Sequence, residues 1–284
     1  MLALLPFLAS ALLGADTLLV SPAWLSAHLH DPLVVVVHVD RSRSGYDAGH
    51  IEGSRYLPLA ALLADRDGVP NEMPPVATLD SVLESVGIGD DSRVIITGDP
   101  LAAARLFVVL DYLGHGDGAA LLDGSTEGWI QAGFPAANAP APATRGSLTP
   151  RVDSAVVVDA AWVAGHLGRA GTVFLDARPA TDFIGTPGSS PPTGHIPGAR
   201  NIYWKTTLGG VPPAVLSRPE LAAMFHGAGI RAGDMVVAYC RSGMQAGFLY
   251  FVARYLGYET RLYDGSMADW LRRPEAPIET GVGE

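Results

Sequence analysis

What most constrains the fold of this chain is that it carries one pattern twice. Gly49-His50-Ile51-Glu52-Gly53-Ser54-Arg55 recurs as Gly194-His195-Ile196-Pro197-Gly198-Ala199-Arg200. Further along, "DYLGHGDGAALLDGSTEGW", closing on Trp129, recurs as "RYLGYETRLYDGSMADW", closing on Trp270. Each Gly-His-Ile segment follows an apolar run that ends in aspartate, "LVVVVHVD" at Asp40 and "TVFLD" at Asp176. Matches kept in order at a spacing of roughly 140 residues mark two domain-sized copies of one fold, because solenoid units are far shorter. A length of 284 residues agrees, being more than one core usually fills. Between the copies, "GFPAANAPAPATRGSLTP" is rich in Pro and Ala with little periodicity and reads as a linker. The expected division is a first domain over 17–134, a linker over 135–151 and a second domain over 152–284.

Within each copy, short apolar strands alternate with helical patterns. In the second, "AAWVAGHLGRA", "RPELAAMFHGAG" and "MQAGFLYFVARYLG" have helical spacing, while "TVFLD", "MVVAYC" and "TRLYD" read as strands. That alternation predicts the α/β class: two tandem domains, each a parallel sheet with helices on both faces. Ligands then sit beyond the carboxyl ends of the strands, on the rim that carries Asp176 and Cys240.

Composition narrows the function classes. A net charge of -10, with no basic cluster longer than Arg272-Arg273, excludes nucleic acid and an anionic membrane surface as partners. A single cysteine excludes an intramolecular disulfide, a CxxC redox pair and a cysteine-rich zinc site. No metal and no cofactor are expected. The opening "MLALLPFLASALLGA", residues 1–15, is apolar and ends in small residues, as a secretory signal peptide does, although no Lys or Arg precedes Arg41. It predicts export, periplasmic in a bacterium, with no membrane attachment of the mature form; the alternative is a cytoplasmic protein. Oligomeric state leaves no mark in the sequence.

The one cysteine stands at the end of the strand-like "MVVAY" and ahead of a helix that begins near Met244 and is ended by Gly257. Backbone N–H groups of a strand-to-helix turn converge on one locus, the helix start adds partial positive charge, and Gly243 permits the turn. With Arg241 adjacent, these effects predict a thiol whose pKa is lowered and whose thiolate is a nucleophile. The plain alternative, an inert buried cysteine, fits a lone thiol in any other context. In the first copy "RVIITGDPLAAARL" puts Gly98 or Asp99 at the corresponding place, with no nucleophile.

The loop "CRSGMQA" resembles the active-site loop of the rhodanese family, the sulfurtransferases. So do "LVSPAWLSAHL", both Gly-His-Ile-x-Gly segments and both Asp-Gly-Ser segments, together spanning about residues 17 to 273. The resemblance implies an inactive first domain that walls the cleft of a catalytic second one. It implies Cys240 as catalytic residue, carrying a persulfide held by the loop N–H groups of residues 241–246, including Gly243, Met244, Gln245 and Ala246. It also implies substrate binding by Arg178, in the family's Asp-x-Arg segment, and by Arg241 and Ser242. The partners would be a small anionic sulfur donor and cyanide or a thiol as acceptor. Arg241 fits the basic loops of thiosulfate enzymes, whereas Ser242 replaces their lysine, and a second substrate arginine of many members is here Asp182. Thiosulfate is the favoured donor, with 3-mercaptopyruvate as the alternative; a non-catalytic sulfur carrier or redox-sensing module is the alternative from another class. A phosphatase or arsenate reductase of the same fold would need an arginine six residues after the cysteine, where Ala246 stands.

Overall fold

A computed structural model describes residues 18–142, 144–188 and 193–282; the expected signal segment 1–15 lies outside them. Two five-stranded sheets carry the same strand order. In the first, the neighbours run Leu19–Val20, Ala119–Leu122, Arg93–Gly98, Val34–Asp40 and Arg55–Pro58. In the second they run Val157–Val158, Glu259–Tyr263, Met235–Tyr239, Thr172–Asp176 and Arg200–Asn201. Every neighbouring pair is parallel, with Val34 beside Arg93 and Thr172 beside Met235 setting the central registers. The Val-rich central strands are buried on both faces, as a parallel sheet between helices requires.

Two helices join the domains. Pro100–Tyr112 and Met244–Leu256 each lie between their own sheet and the other domain, which is why residues 102–110 and 246–253 are buried all round. Phe107 meets Phe251 edge-on with ring centroids 5.2 Å apart. At the far end of this seam Asp111 accepts from the Tyr250 hydroxyl at 2.6 Å and from Arg254 Nε and Nη2 at 2.8 and 3.1 Å. The opposite face of each sheet packs a smaller core around Trp129 or Trp270, whose indole N–H groups donate to the Pro135 and Pro277 carbonyls.

Each domain also extends a hairpin to the other. The hairpin Ala64–Arg66 and Val69–Glu72 reaches the second domain, where Asn71 Nδ2 donates to Ser242 Oγ at 2.9 Å and Arg272 Nη1 donates to the Gly68 carbonyl at 3.1 Å. The hairpin Leu208–Gly209 and Ala214–Val215 reaches the first, where Val215 N–H donates to Asp123 Oδ1 at 3.0 Å.

Two segments differ from the sequence reading. The helix expected over 160–170 stops at Ala164, because Gly165 follows and Gly168 takes a left-handed conformation at φ 66°. The stretch expected as linker is strapped to the first domain: Ala136–Ala137 pairs with His50–Ile51, Leu148 is buried, and Thr149 donates twice to Asp90. Pro and Ala content marked the absence of helix and strand, but docking depends on partners dozens of residues away.

Phe251→Ala empties the centre of the interdomain seam. It is expected to lower the unfolding free energy by about 3–5 kcal/mol, read as a fall in the urea midpoint at unchanged m value.

Candidate active site

Cys240 follows the last residue of the strand Met235–Tyr239 and is 1% exposed. Its loop is shaped by Gly243 and Ser266. Gly243 takes φ 80°, and a Cβ there would collide with Asp264 Oδ1. Ser266 Oγ accepts from the N–H groups of Cys240 at 3.0 Å and Gly243 at 3.1 Å, and donates its own hydrogen to the Tyr263 carbonyl at 2.8 Å. With those two N–H groups taken, the N–H groups of Ser242, Gln245 and Ala246 are the ones that bond the Cys240 sulfur. The sulfur thus caps the start of the helix Met244–Leu256, which has no side-chain cap of its own.

Two expectations about this thiol are corrected. Its pKa is raised, not lowered: burial is the largest influence, the Asp176 carboxylate adds to it, and the N–H groups of Ala246, Ser242 and Gln245 pull the other way without prevailing. A sulfur almost shut off from water loses more hydration than three donors return. Nor does Arg241 help the thiolate. Its guanidinium is 74% exposed and directed outward, paired with Asp182 at 3.0 Å.

The first copy shows what stands in the same place without a nucleophile. Gly98 N–H donates to Ser125 Oγ at 2.8 Å, as Cys240 does to Ser266, so Gly98 rather than Asp99 is the counterpart of Cys240. Asp99 supplies the missing negative charge: its Oδ1 accepts from the N–H groups of Leu101 and Ala102, both at 3.0 Å. Gly98 sits at φ 108° so close to the Val39 carbonyl that a Cβ would collide with it. Leu208, Pro213 and Val215 of the second domain line, together with Gly98, a cavity of about 30 Å³. Ser125 and Ser266 both take positive φ, 58° and 52°.

Arg178 lies on the same rim as Cys240 and is 6% exposed. Its Nε and Nη2 fork onto the fully buried Asp176 carboxylate, at 2.6 Å for Nη2, and Nη2 also donates to the Gly194 carbonyl at 2.7 Å. Nη1 has no protein partner among the described residues. His50 and His195 are fully buried, stacked on Tyr46 and Phe183, and hydrogen-bonded to backbone carbonyls. The sequence reading passed over Ser266, Asp264, Asn71 and Arg105. The repeated Asp-Gly-Ser was the available signal for the first two; the others come from the opposite domain and leave no local mark.

The raised thiol pKa is open to a direct check. Alkylation of Cys240 by iodoacetamide is expected to rise about tenfold per pH unit and to level off above the pH at which a free cysteine does; a plateau near neutrality would contradict it.

The rhodanese-like domain family matches residues 21–132 and 159–273. The chain is 34% identical over 248 residues to a probable 3-mercaptopyruvate sulfurtransferase of Pseudomonas aeruginosa, covering 83% of this chain and 86% of that one. It is 32% identical to a thiosulfate sulfurtransferase of Corynebacterium glutamicum, over 93% and 90%, and 30% identical to a sulfur carrier protein of Thermus thermophilus, over 93% and 96%. Among solved structures, YnjE superposes with a TM-score of 0.82 at 25% identity, covering 93% of this chain and 68% of that one. The anaerobic ergothioneine biosynthesis enzyme of Chlorobium limicola shares the fold, with a TM-score of 0.81 at 23% identity over 93% of this chain and 70% of that one. Both copies of the repeat fall within the matched ranges, and the relatives align over most of their own length, so the chain belongs to the rhodanese family.

Proposed function

We propose that this sulfurtransferase moves a sulfane sulfur from thiosulfate, or a similar small donor, through a persulfide on Cys240 to cyanide or a thiol. The observation that carries the reading is the convergence of the Ser242, Gln245 and Ala246 N–H groups on the Cys240 sulfur, at a helix start where the first domain puts a carboxylate. Such a position holds a negative charge.

The step begins when the thiol releases its proton to solvent. The thiolate attacks the outer sulfur of the donor, the donor's S–S bond breaks, and sulfite leaves with the electron pair. Cys240 then carries the outer sulfur as an anionic persulfide, held by the same three N–H groups. Cyanide attacks that sulfur, the persulfide bond breaks, thiocyanate leaves and the thiolate returns. Arg178 Nη1, which has no partner among the described residues, can meet an oxygen of the donor. Because Arg178 is paired with Asp176 and Arg241 with Asp182, neither arginine contributes an uncompensated charge. That pairing favours a second reading, in which the donor is the carboxylate monoanion of 3-mercaptopyruvate.

Purified protein given each donor in turn, with cyanide in excess, is expected to form thiocyanate over many turnovers, and Cys240→Ser to form none. Equal rates in the two proteins would remove Cys240 from the reaction, and a single equivalent of thiocyanate would identify a carrier. Arg178→Lys keeps the charge but loses the fork, and is expected to raise KM for thiosulfate about tenfold. Arg178→Ala tests this less cleanly, because stripping the buried Asp176 of its partner costs about 3–5 kcal/mol of stability. Export, read from residues 1–15, is tested by N-terminal sequencing of the protein from its native cell.

A further inference from the structure

Arg105 belongs to the domain that has no nucleophile. It sits in the middle of the helix Pro100–Tyr112 with 1% of its surface exposed, and a guanidinium so placed is tolerated only when its donors are used. Its Nε donates to the Leu62 carbonyl at 3.2 Å, its Nη1 and Nη2 to the two oxygens of Asp264 at 2.5 and 3.1 Å, and Nη2 also to the Asn71 carbonyl at 2.8 Å. Two of these acceptors flank the Cys240 loop. Asp264 fills the space beside Gly243 and leads into Ser266, which holds the Cys240 and Gly243 N–H groups. Asn71, at φ 65° in the first domain's hairpin, donates from Nδ2 to Ser242 Oγ.

We propose that Arg105 is a positioning residue for sulfur transfer, fixing Gly243 through Asp264 and the hydroxyl of Ser242 through Asn71. The inference rests on the reading of Cys240 as the sulfur-carrying residue. An Asn71 amide donating to Ser242 Oγ occupies a lone pair and leaves the serine hydrogen without an acceptor among the described residues. That hydrogen is then directed to an anionic oxygen of the donor. Since an amide takes no proton at working pH, Ser242 serves as a hydrogen-bond donor and not as a base. The reverse crossing lacks this device: Asp123, the counterpart of Asp264, is reached by a backbone N–H, that of Val215. At these two crossings, a buried guanidinium stands behind the copy that carries cysteine and a backbone N–H behind the other.

The test is steady-state transfer from thiosulfate to cyanide by wild type, Arg105→Lys, Asn71→Ala, Ser242→Ala, the Asn71→Ala/Ser242→Ala double variant and Cys240→Ser. Arg105→Lys keeps the charge and loses the fork; kcat/KM is expected to fall at least about tenfold. Asn71→Ala removes the amide and not the carbonyl that Arg105 bonds, and Asn71→Gly, free to hold φ 65°, runs beside it to separate backbone strain from loss of the Ser242 link; both report on that link even if Arg105→Lys fails to fold. KM for thiosulfate is expected to rise about tenfold in Asn71→Ala with kcat within about twofold, and the double variant is expected to lose no more than Ser242→Ala alone. A purely structural role would lower the unfolding midpoint without changing KM. Unchanged KM in Asn71→Ala, or additive losses in the double variant, with Cys240→Ser inactive, overturns the proposal. Transfer surviving in Cys240→Ser overturns the underlying reading, and the proposal with it.

Discussion

A buried helix that starts at the carboxyl end of a sheet has N–H groups that water cannot reach and that no preceding turn can satisfy. Something negative must take them, and the architecture poses this demand twice, once at Pro100–Tyr112 and once at Met244–Leu256. In the first copy the chain answers with the Asp99 side chain, whose Oδ1 accepts from two N–H groups of the first turn. In the second it answers with a sulfur, which becomes charged only when ionised or loaded. The same physical requirement is thus met by a carboxylate in one domain and by a thiol in the other. A raised thiol pKa belongs to this arrangement: in the empty site the neutral thiol is the more comfortable occupant, and the N–H groups are fully used only once an anion forms.

The two copies are coupled through exchanged parts and not merely by touching faces. Each hairpin lies over the rim of the other domain, and each Asp-Gly-Ser aspartate accepts from the opposite domain. The apolar seam of Phe107 and Phe251 brings the helices together; the polar crossings at Asp264, Asp123 and Asp111 fix how they sit. Because buried polar groups left unpaired are costly, these crossings set register more firmly than hydrophobic contact does.

Much of this was legible in the residues. The repeat gave two copies, the Val runs gave central strands, Gly257 gave a helix end, and the strand-turn-helix context singled out Cys240. What escaped detection has a common cause. Whether the Cys240 thiol is stabilised as an anion depends on how deeply it is buried, and the sequence shows the donors but not the lost water. Where Arg241 points is decided by Asp182, 59 residues away in the chain. Arg105 reads as one polar residue in an apolar helix, and nothing local announces that Asp264, 159 residues later, is its partner.

The close approach of Gly98 to the Val39 carbonyl gives the asymmetry of the molecule a particular character. A spare copy that had merely lost its cysteine could regain it by one base change. This one could not, because the Val39 carbonyl already stands in the volume the side chain would need. The difference between the copies is therefore one of backbone as well as of side chain. It is recorded in the path of the chain as well as in the identity of one residue.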